Sequence, residues 1–281
     1  MSAHPSRPQE YLPLTGIRLI ASDLDGTLIG EDGLVPDELW PLLTELKKRG
    51  ILFVPASGRQ AATLQQTFES ASDGMPFIGE NGALVIQDGE VLHSLVISQD
   101  VVTEVVQIVR DLASDGVNIG VILSTEESAY TQRTDEAFLA QADRYYKKMT
   151  IVDDVLEFRA DVVKIAICSF DDIDETLAPR VGHFKATHSV VSSVKNWIDI
   201  TESGADKGKA LRRLQVHLGI SRAETVVFGD YLNDLELMEA ADISFAVANA
   251  HPAIIATASF VAPSCDDRGV IQVIKHILAD A

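Results

Sequence analysis

Cysteine is nearly missing: Cys168 and Cys265 are the only two in 281 residues, and they form no C-x-x-C pair. That excludes a disulfide framework and a thiolate zinc site, and it fits a reducing cytoplasm. Basic residues are also scarce, with 23 Lys and Arg against 42 Asp and Glu and a net charge of −19. Such a chain repels nucleic-acid phosphates and anionic membranes, so neither is expected as a partner. No uninterrupted apolar run is long enough to span a bilayer. The charge-free stretch 243–264 is broken by Asn249, His251 and Pro252, so it is expected to form short buried elements. Met1 to Gly16 carries three prolines and lacks the apolar centre of a secretory signal, so it reads as a loose leader. What remains is ordinary globular material, 46% hydrophobic and 23% charged, enough for one large domain or two smaller ones.

Short apolar runs at Ile17 to Ala21, Ile51 to Ala56 and Thr225 to Phe228 read as buried parallel strands, each followed by polar residues and then a helical pattern. The first helix is expected from near Pro36 to Gly50, with Leu39, Leu42, Leu43 and Leu46 inward and Lys47, Lys48 and Arg49 at its negative end. Further helices are expected at Gln60 to Glu69 and at Lys207 to Leu218, the latter closed by Gly219. The alternation predicts an α/β fold built on a doubly wound parallel sheet. From Leu84 the rhythm changes to a hairpin around Asp88-Gly89, helices at Asp100 to Ser114, Asp135 to Tyr146 and Asp171 to Phe184, and strands at Val117 to Leu123 and Val162 to Cys168. We therefore expect a core made of residues 1–85 and 191–281, interrupted by an inserted α/β unit at 86–190.

Three strand candidates end in polar clusters: Asp23-Leu24-Asp25-Gly26-Thr27, Ser57-Gly58-Arg59 and Gly229-Asp230-Tyr231-Leu232-Asn233-Asp234. Ligands bind outside the carboxyl ends of strands in open parallel sheets, so these clusters can share one crevice. Asp23, Asp25, Asp230 and Asp234 together would repel one another unless a cation or protons offset them. Oxygen-only ligands suit a hard divalent ion, and one that shares a phosphate oxygen is typically Mg2+. Lys207 opens a helix, where its charge opposes the dipole, so an anion is expected beside it. Other chemistries are absent. Gly204 to Lys209 has the wrong glycine spacing for a P-loop and Ala210 where a hydroxyl is needed; no G-x-S-x-G or G-x-G-x-x-G occurs, and the seven histidines are scattered.

Asp23-x-Asp25-Gly26-Thr27-Leu28, Ser57-Gly58-Arg59, Asn81-Gly82-Ala83, Lys207-Gly208 and Gly229-Asp230-x-x-Asn233-Asp234, in that order, resemble the haloacid dehalogenase superfamily of phosphohydrolases in its Cof-type branch. The resemblance implies a Rossmann-like core with an α/β cap of the IIB type inserted after Asn81-Gly82-Ala83. It implies that Asp23 is the nucleophile and Asp25 the acid and base, with Ser57 and Lys207 holding phosphoryl oxygens. Backbone donors from Leu24 to Gly26, with Thr27, Gly58, Asn233 and Asn249, are expected around the phosphate or substrate. Arg59 either joins them or braces the loop by a salt bridge. Mg2+ is expected on Asp23, the backbone carbonyl of Asp25, Asp230 and Asp234. Tyr231 stands where the family usually has a small residue. Near the end, Cys265 replaces an Asn and Arg268 an acid, so no metal role is assigned to Cys265 or Asp266. The expected activity is Mg2+-dependent hydrolysis of a small phosphomonoester (a sugar phosphate, nucleotide or phosphorylated cofactor) by a cytoplasmic enzyme. A phosphotransferase or phosphomutase of the same fold, and a non-catalytic phospho-ligand sensor, are the alternatives. No residue between Leu84 and Val190 spells out a ligand.

Overall fold

The computed structural model describes residues 14–157, 160–194 and 196–280; the leader expected at the start lies mostly outside them. The chain runs through β1 (Leu19–Ser22), β2 (Leu52–Pro55) and β3 (Pro76–Gly79), then the hairpin β4 (Leu84–Gln87) and β5 (Glu90–Ser94). It continues through β6 (Ile119–Thr125), β7 (Ala129–Thr131), β8 (Met149–Ile151) and β9 (Val162–Ser169) to β10 (His188–Val194) and β11 (Trp197–Glu202). Last come β12 (Thr225–Gly229), β13 (Ile243–Val247) and β14 (Phe260–Ala262).

Five strands make a wholly parallel sheet in the order β14-β13-β12-β1-β2. Its central strands are buried along their whole length, which is why they read as continuous apolar runs rather than alternating ones. Phe228, Phe245 and Phe260 stack across neighbouring strands at 5.3 and 5.2 Å between ring centroids. A second sheet of six strands has the order β10-β11-β9-β6-β7-β8 and is antiparallel except between β7 and β8. Helix Gln99–Ser114 contributes Val102, Val105, Val106 and Val109 to the apolar cluster of this sheet, the i, i+3, i+4 stripe of an amphipathic helix. The third sheet, β3-β4-β5, leans on the parallel core through a bridge between Ala56 and Ile78.

The parallel sheet and the additional sheet unit are the α/β architecture the sequence predicts. Both expected boundaries, however, fall inside strands: 85/86 within β4 and 190/191 within β10. β11, which carries no strong local signal, pairs with both β10 and β9 and completes the six-stranded sheet before the chain enters helix Lys207–Leu218. The helix expected at Asp171 to Phe184 is instead two single turns, Ile173–Thr176 and Ala178–Val181, followed by a 3-10 stretch. Pro179 lacks the N–H that would continue the ladder. The segment 243–264 resolves into β13, helix Pro252–Thr257 and β14, and no helix among the described residues is long and apolar enough to cross a membrane.

Register decides what meets at the carboxyl edge. Ser22 lies beside Phe228 on one side and Pro55 on the other, so Asp23, Ser57 and Asp230 leave adjacent strands together. Helix Lys207–Leu218 starts under the same edge, capped by the Asp206 side chain accepting from Lys209 N–H. Gly208 allows the close approach there, since a Cβ at that position would sit 2.0 Å from the backbone oxygen of Glu236.

Candidate active site

After Asp23 the chain folds into a tight turn in which the carbonyl of buried Leu24 accepts from Thr27, Leu28 and Ile29 N–H groups at 3.2, 2.9 and 2.7 Å. Gly26 takes φ +86°, and a Cβ there would lie 2.5 Å from Asp230 Oδ2, so both conformation and space require glycine. The Thr27 hydroxyl donates to Asp230 Oδ1 at 2.9 Å. At the end of β12, Asp234 Oδ2 accepts from the N–H groups of Asp230 and Tyr231 at 3.0 and 3.2 Å. Its other oxygen accepts from the Lys207 ammonium at 2.7 Å, and the same ammonium donates to Asp23 Oδ1 at 2.5 Å. Lys207 and Asp234 are fully buried, and Asp23 is 5% exposed.

Oxygens from Asp23, Asp230 and Asp234 all lie within 4.8 Å of one another. Burial raises the Asp23 carboxyl well above its usual range; Lys207 pulls it back down, while Asp234 and Asp230 push it further up. Asp230 is raised for the same reasons, burial first and then Asp234. For Lys207 burial works against the charge, but Asp23 and Asp234 outweigh it and raise the ammonium. One cation among three close carboxylates leaves the cluster short of positive charge. Its donors are all carboxylate oxygens, so the residues present fit a hard divalent cation, and Asp23, Asp230 and Asp234 are the side chains that would hold it.

The cluster forms part of the wall of a cavity of about 620 Å³ roofed by residues of the six-stranded sheet. Asp25 lines it with a half-exposed carboxylate gripped by Arg59, Nε to Oδ2 at 2.9 Å and Nη2 to Oδ1 at 2.5 Å. Ser57 is buried beside them, its Oγ accepting from Arg59 N–H at 3.1 Å. Asn233 lines the cavity and donates to Asn81 Oδ1 at 3.3 Å. Tyr231 is 51% exposed at the rim and meets the His251 ring edge to face. The roof supplies Tyr145, Trp197, Val190 and Val191.

Of the residues expected to form a site, Asp23, Asp25, Ser57, Gly58, Arg59, Asp230 and Asn233 line this cavity, with Lys207 and Asp234 directly beneath. Others are placed differently. Gly26 N–H donates to Ile29 O, and Thr27 spends its N–H on Leu24 and its hydroxyl on Asp230, so these groups shape the turn instead of facing an anion. Asn249 is engaged at both ends, donating to Gly26 O and accepting from Cys265 N–H, each at 2.8 Å, and so ties the turn to the segment after β14. The Asp25 side chain stands apart from the carboxylate cluster; the metal expectation for it concerned its carbonyl. Two neighbours were missed. Lys164 and Glu80 form a buried ion pair at 2.5 Å beside the cavity. Their signal was present: a lone lysine within the apolar strand Val162 to Cys168, and an acid just before Asn81-Gly82.

Comparison with known proteins identifies the family. A model of the haloacid dehalogenase-like hydrolases matches residues 20–274. The 5-amino-6-(5-phospho-D-ribitylamino)uracil phosphatase YbjI of Escherichia coli is 32% identical over 93% of this chain and 96% of its own. A haloacid dehalogenase-like hydrolase from B. subtilis superposes with a TM-score of 0.78 at 26% identity, covering 93% of this chain and all of that one. Another from Bacteroides thetaiotaomicron reaches 0.82 at 22% identity over 93% and 99% of the two chains, a likeness of fold. The chain thus belongs to the haloacid dehalogenase-like hydrolases, Cof-type, and is an enzyme of their phosphatase branch.

Proposed function

We propose that this protein is a Mg2+-dependent phosphatase that hydrolyses a small phosphomonoester through an aspartyl-phosphate on Asp23. The observation that carries the reading is the buried Lys207 ammonium held between Asp23 and Asp234 beneath a cavity large enough for a metabolite. Lys207 orients one Asp23 oxygen, leaving the other to attack phosphorus. A bond forms from that oxygen to phosphorus as the ester P–O bond breaks, and the leaving alkoxide takes a proton from Asp25. In the second half Asp25 removes a proton from water, which attacks phosphorus and releases Asp23. Ser57 and Lys207 donate to the phosphoryl oxygens. A bound Mg2+ supplies charge neutralisation for those oxygens, with Asp23, Asp230 and Asp234 as its side-chain holders.

Asp25 accepts two guanidinium hydrogen bonds from Arg59, an arrangement that suits the ionised base of the second half. Protonating the leaving group in the first half requires Arg59 to release at least one of them, which gives Arg59 the bracing role rather than a phosphate contact in this state. The cavity roof of Tyr145, Trp197 and Val191 favours a leaving group with apolar or flat surface. The E. coli relative, named for the phosphate ester of a ribitylamino-uracil, is consistent with a metabolite of that size. Buried, unpaired Cys168 and Cys265 support action in the reducing cytoplasm. The test is phosphate release from a panel of phosphorylated metabolites, with Mg2+ and with chelator. Asp23→Asn should lower turnover by several orders of magnitude while circular dichroism stays native, and a variant with wild-type turnover ends the nucleophile assignment.

A further inference from the structure

The loop Ser57-Gly58-Arg59 presents a hydroxyl and a guanidinium to the cavity, and each of its three carbonyls is held from elsewhere. Asn81 N–H donates to Ser57 O and Glu80 N–H to Arg59 O, both at 3.0 Å. The third, Gly58 O, accepts at 2.8 Å from the ammonium of Lys164, a residue 106 positions away in β9 of the six-stranded sheet. That ammonium also pairs with Glu80 Oε2 at 2.5 Å and lies 5.1 Å from the centre of the Tyr146 ring. Lys164 is 2% exposed and Glu80 not at all. Two charges hidden together are a poor way to stabilise a fold, because desolvation cancels most of their attraction and an apolar pair does as well or better. Glu80 and Asn81 moreover adopt φ of +52° and +56°, which residues other than glycine seldom do. Such an arrangement, set against the catalytic loop, calls for a reason beyond stability.

We infer that Lys164 and Glu80 are positioning residues: together they set the Ser57-Gly58-Arg59 loop, and because Lys164 belongs to the six-stranded sheet, they do so only when that sheet is seated over the cavity. The Tyr145 and Trp197 roof and the phosphoryl-holding loop are thereby completed in one event. The inference rests on the roles of Ser57 and Arg59 proposed above. The two residues act through Gly58 and through the backbone of Glu80, without touching the reacting atoms.

The decisive comparison is Lys164→Met against the double variant Lys164→Met/Glu80→Met, assayed with p-nitrophenyl phosphate and Mg2+ alongside denaturant unfolding. The single variant leaves a buried carboxylate without its partner and loses both stability and activity. The double variant removes both charges at similar volume, so its unfolding midpoint should return close to wild type. Its kcat should stay down by roughly 10²-fold, the cost of about 1 Å of misplacement, with KM little changed. A double variant with wild-type kcat overturns the inference and leaves the pair a structural feature. If the double variant does not fold, Lys164→Met/Glu80→Gln decides: it leaves neither charge of the pair, its Met cannot donate to Gly58 O, and unchanged kcat there overturns the inference equally. Failure of the functional reading is told apart by the wild type, which would then release no phosphate from any ester tested.

Discussion

Replacing Lys207 with Met removes one ammonium and strands the two carboxylates it holds, Asp23 and Asp234, and the expected cost follows from the contacts. The two hydrogen bonds lost, at 2.5 and 2.7 Å, are between charged groups in a fully buried setting. At roughly 1.5–3 kcal/mol each, they bound the gross loss at about 3–6 kcal/mol. Breaking a buried ion pair by deleting one partner costs about 3–5 kcal/mol, so the two estimates agree. Against a total stability of about 5–15 kcal/mol the variant should still fold, with a melting temperature about 6–20 °C lower at 2–4 °C per kcal/mol. The penalty should be largest near neutral pH, where Asp23 must remain an anion without its partner, and should shrink as acid protonates it. Turnover should fall by roughly 10²–10³-fold, the scale for a lost oxyanion donor. Denaturant unfolding of chelator-treated protein at pH 5 and pH 8 supplies the stability losses, and phosphate release with Mg2+ supplies the turnover. A loss below about 1 kcal/mol at pH 8, or one that grows on acidification, would refute the electrostatic account of the site.

Other outcomes follow from the same geometry. Removing divalent metal with EDTA should abolish phosphate release, Mg2+ should restore it, and saturating Mg2+ should stabilise the fold, by about 2.7 kcal/mol at a hundred times its dissociation constant. Because the folded state raises the Asp23 and Asp230 carboxyls above their ordinary value of 3.8, it binds protons more tightly there than the unfolded chain does. Their contribution is therefore complete below pH 3.8 and lost as pH rises through the raised folded values. Metal-free wild type should accordingly lose stability relative to Asp23→Asn between acid and neutral pH; parallel unfolding curves for the two would contradict the assignment. Gly208→Ala, whose Cβ would stand 2.0 Å from Glu236 O, should cost about 3 kcal/mol or more by displacing the helix that carries Lys207, read as a lowered denaturant midpoint.

How much of this was legible in advance differs from residue to residue. Three of the five parallel strands, β1, β2 and β12, and the helices expected beside them announced themselves through apolar runs, Pro36, Gly50 and Gly219, all signals confined to a few neighbouring positions, whereas β13 and β14 were legible only as short buried elements. The strand Trp197–Glu202 did not, because its apolar residues make sense only once β9 and β10 lie on either side. Asn249 carried the motif of a site residue, yet its amide is spent on Gly26 and Cys265, a use that no local pattern specifies. Glu80 and Lys164 were individually odd, but nothing along the chain said that they meet.

The order of residues alone determined which chemical groups stand at the strand ends, since strand, turn and helix signals act over the reach of a few peptide units. Only the tertiary structure decided which charges neutralise one another. Lys207 finds Asp23 across 184 positions and Asp234 across 27, and a Coulombic contact depends on distance and burial in space, which adjacent strands of a parallel sheet create from segments that the chain keeps far apart.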